Sequence, residues 1–501
     1  MAEVIAGALA ILLAPQTLAV MLASGLFGLF VGAVPGLTAT MATALLVPLT
    51  FYLDPVPAIA AMITASAMAI FAGDIPSALL RMPGTPASAA YADALHAMTR
   101  AGRAELGLGI CLLASALGGL FGALVLTLAA PALAEFALGF STFEYFWLAC
   151  LGLSCAAFVA GPRPVKGAIS LLLGLLFSTV GLDPVTGVTR FTFGNVDLVG
   201  GLGLVPVLIG MFAMAEILRF AATAERLRLE GTARIGNVFR GVLPLLWRQR
   251  LAVGRGNLLG VAIGALPGAG ADIAAWISFA LARRRAARRP DPDGEAEAIA
   301  GGSAANNASL AAAYVPATVF GIPGDTITAI VIGVLFMKGL TPGPSVFLHQ
   351  PVLIYAVFFS FFLANLLLIP LGLLAIRLAR RLLAVPREVL MPIILLFCIV
   401  GAFAMTNTMF AVWVMLAMGV LGWLMEENGI PVAPLVLGLV LGPMVQENFL
   451  TSMMKSDGSF LAFFERPLAG VLGALTIAVW LAPLALALAR RLHRPRPASA
   501  A

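Results

Sequence analysis

The sequence predicts an all-α polytopic membrane protein, with about 12 transmembrane helices in two inverted repeats, each holding broken or re-entrant helices at Pro-Gly motifs. Three observations lead there. The 501 residues are 61% hydrophobic and only 11% charged, with a mean hydropathy of +1.03; soluble chains run at about 45–50% apolar and about 25% charged. Such a chain lacks the polar residues to cover a soluble core, which sets aside soluble enzymes, DNA-binding proteins and disordered scaffolds. Apolar runs near the roughly 20 residues of a spanning helix recur over almost the whole length. The third observation is an internal repeat.

Gly28, Gly32, Pro35, Gly36 and Ala39 recur 232 residues later as Gly260, Gly264, Pro267, Gly268 and Ala271, within the strings GAVPGLTA and GALPGAGA. Pro83-Gly84 in RMPGTPASA has a counterpart 240 residues on, Pro323-Gly324 in GIPGDTITA. Gly210 and Glu216 in GMFAMAE resemble Gly442 and Glu447 in GPMVQE. Three landmarks in one order are hard to produce by chance, even in Gly/Ala-rich sequence. Corresponding loops also differ in charge. The acidic loop at Asp54 matches one with Arg283, Arg284, Arg285, Arg288 and Arg289. Glu135 and Glu144 match a segment with Arg377, Arg380, Arg381 and Arg387, and the Arg163/Lys166 loop matches the uncharged Thr406-Asn407-Thr408. By the positive-inside rule, equivalent loops fall on opposite membrane faces, so the repeats are inverted.

With a cytoplasmic N-terminus, crossings fall near 4–24, 58–80, 105–130, 143–160, 167–182 and 198–218. An Arg-rich cytoplasmic linker, Arg219 to Arg255, follows. The second set lies near 299–320, 350–376, 388–405, 410–425, 430–449 and 467–489, before a basic tail, Arg490–Ala501. The run from Val4 has no positive flank and flows into further apolar sequence, so it reads as a retained helix and not a cleaved signal. Residues 256–282 have basic flanks on both sides, and a re-entrant hairpin bent at Pro267-Gly268 resolves that conflict. By symmetry, 25–48 bends at Pro35-Gly36. The expected divisions are a first helix (1–24), a first repeat (25–222), a basic linker (223–255), a second repeat (256–449), and a last helix with its tail (450–501).

The candidate chemistry sits at the breaks. Small residues every fourth position before each Pro suit close helix packing. Non-helical backbone at membrane depth persists only where protein buries it or where it lines a cavity. The helix restarting after each break offers free N–H groups and a positive dipole end, suited to an anion. The substrate-binding candidates are Pro35, Gly36, Thr38, Thr85, Ser88, Pro267, Gly268, Asn306 and Asn307. The adjacent amides Asn306 and Asn307 are costly at lipid depth unless partnered, either by a substrate or by a neighbouring helix. Thr40, Asp272, Asp325 and Thr326 are hard oxygen ligands for a coupling ion, although Thr and Asp after a break also cap helices. Asp74 and Arg81 are further polar candidates, seven residues apart and so on one face if one helix holds both.

Other chemistries fall away. The four cysteines lie in apolar stretches and read as core thiols. The three histidines, His96, His349 and His493, have no metal-ligand spacing. GAGAD at 268–272 follows no strand, and no Lys follows a glycine run, so neither a dinucleotide fold nor a P-loop is indicated. Two rivals share the composition. A channel or scaffold subunit would not need polar groups at both breaks. An intramembrane enzyme would use Asp74 and Asp272 as an aspartyl pair, but neither lies in a GxGD motif.

These strings, in this order, resemble the TctA family, the large permease subunit of tripartite tricarboxylate transporters. The resemblance runs from about Gly25 to Gly470. Its most specific pieces are GAVPGLTATMATALLVPLTF, RMPGTPASAA, STVGLDPVTGVTRFTFG, GNLLGVAIGALPGAGADIAA, AANNA with GIPGDTITAI, LTPGPSVF and PVAPLVLGLVLGPMVQENF. It implies a multi-pass bacterial inner-membrane permease that imports carboxylates by symport with sodium or protons. It further implies a small TctB-like membrane subunit and a TctC-like periplasmic binding protein, and no cofactor beyond the coupling ion. Asp74, Arg81 and Asp272 depart from the family's usual small or hydroxyl residue, Asn and Thr.

Overall fold

A computed structural model describes residues 2–159, 164–183, 185–222, 238–268, 270–288, 294–383 and 385–492. Arg163 and Arg289, the stretch 223–237 of the basic linker, His493 and the tail beyond it lie outside these residues.

The first half runs α1 (Ala2–Leu12), α2 (Pro15–Ala33), α3 (Ala39–Thr50), α4 (Pro55–Ala72), α5 (Asp74–Leu80), α6 (Ala92–Arg100), α7 (Ala104–Ala137), α8 (Thr142–Val159) and α9 (Pro164–Ser178). A two-residue hairpin follows, β1 (Gly181–Leu182) antiparallel to β2 (Thr189–Arg190), with Gly181 opposite Arg190. Helix α10 (Leu204–Ala222) contains a π-helical stretch, Ile209–Met214. The second half runs α11 (Arg250–Gly264), α12 (Gly270–Arg288), α13 (Gly294–Phe320), α14 (Thr326–Met337), α15 (Pro351–Arg377), α16 (Arg387–Thr406), α17 (Met409–Glu427), α18 (Ala433–Lys455) and α19 (Pro467–Leu492). Eight helices among the described residues are long and apolar enough to cross a membrane.

Helices run across three of the expected divisions. The expected first crossing, 4–24, breaks after Leu12, and Pro15 opens a new helix that continues to Ala33. Proline lacks the N–H that an interior helix position needs, but it fits the first turn. The divisions at 255 and 449 likewise fall inside α11 and α18.

The most enclosed helices are α4 and α13. Every residue of α4 except Pro55 is buried, as is every residue of α13 except Glu295, Glu297 and Phe320. Small residues make this possible. Where lipid removes the hydrophobic drive between helices, association rests on close van der Waals packing. A Cβ on Gly28 or Gly32 of α2 would fall 2.3 or 2.4 Å from the carbonyl oxygens of Ala65 and Ala69 on α4. On α11, a Cβ at Gly256, Gly260 or Gly264 would fall 2.3 to 2.5 Å from those of Gly301, Ala305 and Ser309 on α13. The small-residue stripes before each break therefore pack helices.

Among the described residues, several hydrogen bonds and ion pairs tie together loops far apart in sequence. Lys338 Nζ donates to the carbonyls of Phe51 and Leu53 at 2.8 and 2.5 Å, and Arg466 pairs with Glu144 at 2.7 Å. Lys166 donates to the Asn428 carbonyl, and Arg219 bridges Glu216, at 2.9 Å, and Glu426.

Candidate functional site

The chain leaves helical geometry twice in matching ways. Between α2 and α3, Gly36 takes φ +89°; between α11 and α12, Gly268 takes φ +78°. Left-handed backbone of this kind is readily available to glycine alone. After the first break, Thr38 caps α3, its hydroxyl accepting from the Met41 N–H at 3.2 Å. The two Pro-Gly turns press against the ends of the helices that precede the breaks. A Cβ on Gly84 would lie 2.9 Å from the Gly32 carbonyl oxygen, and one on Gly324 would lie 3.0 Å from that of Gly264. In the second half, the Gly268 N–H also donates to the Gly324 carbonyl at 2.9 Å.

Each Pro-Gly turn leads into the same reciprocal cap. Thr85 Oγ1 accepts from the Ser88 N–H, and Ser88 Oγ from the Thr85 N–H, both at 3.1 Å. Asp325 Oδ1 accepts from the Thr328 N–H at 2.8 Å, and Thr328 Oγ1 from the Asp325 N–H at 2.9 Å. In the second half the pair is a capping box that satisfies two otherwise unpaired N–H groups at the start of α14; in the first half it closes the Thr85 turn.

The two halves exchange contacts. Thr40 on α3 hydrogen-bonds Thr326 at the start of α14, oxygen to oxygen 3.1 Å. In the opposite sense, α12 docks on the first Pro-Gly turn: Trp276 Nε1 donates to the Pro86 carbonyl at 3.0 Å, and Asp272 accepts from the Ala87 N–H. Between these contacts lies a cavity of about 460 Å³, lined by Thr38, Thr40, Thr85, Gly268, Asp272, Asn306, Asp325 and Thr326 among others. The starts of α3, α12 and α14 and the Thr85 turn converge on it. Asn306 has its Oδ1 buried without a hydrogen-bond partner. Asp272 is solvent-accessible where it lines the cavity.

The remaining sequence candidates sit outside the lining. Gly36 faces the Arg387 guanidinium, and Pro267 lies toward Gly152 on α8. Pro35 is buried in the turn. Ser88 serves the cap. Asn307 donates from Nδ2 to the Ser115 carbonyl on α7 at 3.3 Å, so the adjacent amides serve different neighbours. Asp74 is buried and accepts from the Tyr91 hydroxyl at 2.9 Å. Asp74 and Arg81 do not share a helix face. Helix α5 ends at Leu80 and Arg81 takes φ +59°, which removes it from Asp74's face. Arg81 pairs instead with Asp93 at 2.7 Å, largely exposed.

Sequence reasoning missed Phe212, in the π-helical stretch of α10, and the Glu426 and Pro431–Leu437 wall. The string PVAPLVLG held the signal for that wall, but nothing local to it marks a cavity. Arg219 neutralises Glu426 at the rim. Asp272 and Asp325 remain the charged groups of the interior, and the described lining contains no Lys, Arg or His.

The tripartite tricarboxylate transporter TctA family model matches residues 18–437. An Agrobacterium vitis protein described as an uncharacterized 52.8 kDa protein in the TAR-I ttuC' 3'region is 35% identical over 455 residues, 90% of each chain. A second, an uncharacterized protein in the TAR-II ttuC' 3'region of the same organism, is 34% identical over 232 residues, 46% of this chain and 94% of that one. No solved structure matches. The chain belongs to the tripartite tricarboxylate transporter TctA family, and membership makes it the large membrane subunit of such a transporter and not an enzyme.

Proposed function

We propose that this subunit imports a tricarboxylate or related carboxylate across the bacterial inner membrane by symport with sodium or protons, at the cavity between the two helix breaks. The observation that carries this reading is the convergence of three helix starts and the Thr85 turn on one cavity. The dipole ends of these helices favour a carboxylate there, and Asn306 adds an amide. The two halves are inverted repeats with re-entrant hairpins at Pro35-Gly36 and Pro267-Gly268, a reading supported by the exchanged contacts Thr40–Thr326 and Asp272–Ala87. A TctC-like binding protein delivers substrate from the periplasm, and a TctB-like small subunit completes the complex. A second, larger cavity of about 1290 Å³ is lined in part by Arg190, Ser345 and Gln446. It fits an outer vestibule, with the first cavity reaching the Glu426 face.

The test is uptake of a labelled carboxylate panel into proteoliposomes holding both membrane subunits. Loaded binding protein is added outside, with a sodium or proton gradient imposed or collapsed. Gradient-driven uptake that needs the binding protein and falls sharply in Asn306→Ala supports the proposal. Uptake indifferent to Asn306→Ala favours a channel or scaffold subunit without a substrate site of its own.

A further inference from the structure

We propose that Asp272 and Asp325 hold a sodium-sized monovalent cation between the two halves of the chain, with Asn306 Oδ1 and the Thr40–Thr326 hydroxyl pair completing an oxygen cage. This deepens the transport reading by placing a coupling site within the same cavity, and its test does not depend on substrate movement.

Charge and hydrogen-bond capacity carry the argument. Both carboxylates line one cavity. Among the described residues, no cationic side chain pairs with either, since the Arg219 charge is spent on Glu216 and Glu426. A carboxylate offers about four lone-pair sites. Asp272 uses one on the Ala87 N–H, and Asp325 turns Oδ1 toward Thr328. Acceptor capacity therefore remains unused on both. Asn306 is 2% exposed and has its Oδ1 unpartnered. A buried amide oxygen without a donor, beside two unneutralised carboxylates, calls for a positive charge and not for another anion.

An anionic substrate entering this cavity without such a cation would meet two like charges, which ties its entry to the cation's. The all-oxygen, hydroxyl-rich set fits a hard monovalent ion. Among the described residues, no three His, Cys, Asp or Glu side chains cluster as a transition-metal site would require. Asp272 occupies the position 232 residues after Thr40, so the second half supplies a charge where the first supplies a hydroxyl.

The experiment is thermal unfolding of the purified complex of this chain and its small subunit in detergent. It is titrated with sodium chloride against choline chloride at constant ionic strength, without carboxylate. Wild type is expected to gain stability saturably with sodium alone. Asp272→Thr copies the first half's hydroxyl, and Asp325→Asn keeps a residue that caps helices well. Each is expected to unfold near the wild-type temperature in choline and to need about tenfold or more sodium for the half-maximal shift, or to lose the shift. An equal shift in choline, or an unchanged sodium midpoint in both variants, overturns the site. A wild-type sodium shift that persists when no carboxylate is ever transported would keep the site and sink the transport reading. Uptake without any sodium shift would do the reverse.

Discussion

At the first helix break the polar wall of the cavity is made of hydroxyls, Thr38, Thr40 and Thr85; at the second the hydroxyl of Thr326 is joined by the carboxylates Asp272 and Asp325, beside Gly268 and Gly270. The backbone is nearly the same in both, with left-handed glycines at 36 and 268 and reciprocal caps at 85/88 and 325/328. Close approach to a central helix and the sharp turn belong to the frame, and both halves keep them. Charge belongs to the cargo, and there the halves differ. On the proposed reading, these unequal polar groups give one cavity a face suited to an anion and a face suited to a cation.

The comparison breaks most completely at the frame. Gly32→Leu and Gly264→Leu each drive a side chain into the backbone of the facing central helix, 2.4 and 2.5 Å from a carbonyl oxygen. Both are expected to lose at least the roughly 1–3 kcal/mol of an overpacked core, read as failure to recover monodisperse protein. If one tolerates Leu, the two frames are not equivalent.

The amides sharpen it at a smaller scale. Asn307→Ala removes the bond to Ser115 on α7 and is expected to cost about 1 kcal/mol of stability. Asn306→Ala removes no hydrogen bond from its unpartnered Oδ1. It is expected to cost less stability than Asn307→Ala, read by thermal unfolding, while lowering uptake. Reversed outcomes would put the substrate on the α7 side.

The caps come next. Thr85→Ala and Asp325→Ala each delete one arm of a reciprocal cap and are expected to cost about 0.5–2 kcal/mol, measured by thermal unfolding. Asp325→Ala alone is expected to change the ion dependence of uptake. Equal ion dependence in both variants would mean that charge does not distinguish the two faces.

The smallest effect lies outside the cavity, where Asp183 ties the hairpin to α18. It accepts from the Val185 and Thr186 N–H groups, from Gln446 Nε2 at 3.2 Å and faces Arg190 at 3.4 Å. The Val185 N–H foremost, helped by Thr186 and Arg190 against partial burial, holds its carboxyl below the ordinary range. A depressed carboxylate contributes while ionised. The tie is therefore expected to be complete above about pH 4, the unfolded value, and to weaken as pH falls through the lower folded value. Hydrogen exchange of 181–190 checks this, and Asp183→Asn is expected to abolish the acid dependence.

Helical class, membrane placement and the position of both breaks were legible in the sequence, because apolar runs and Pro-Gly pairs act over a few residues. The identity of α4 and α13 as central helices was half legible: their Gly, Ala and Ser content permits close approach, but only the fold says which neighbours use it. Three points were decided in three dimensions. Arg81 turned away from Asp74 because α5 stops at Leu80 and Arg81 takes the left-handed cap conformation. Asn306 and Asn307 separated because successive residues on a helix face different neighbours. Glu426 and the Pro431–Leu437 wall joined the cavity from 99 or more residues away in sequence. The sequence alone determined where the chain bends and which groups carry charge, since those are properties of single residues and short strings. Which of those groups share a cavity was decided only by the tertiary structure, since that depends on how the two halves cross.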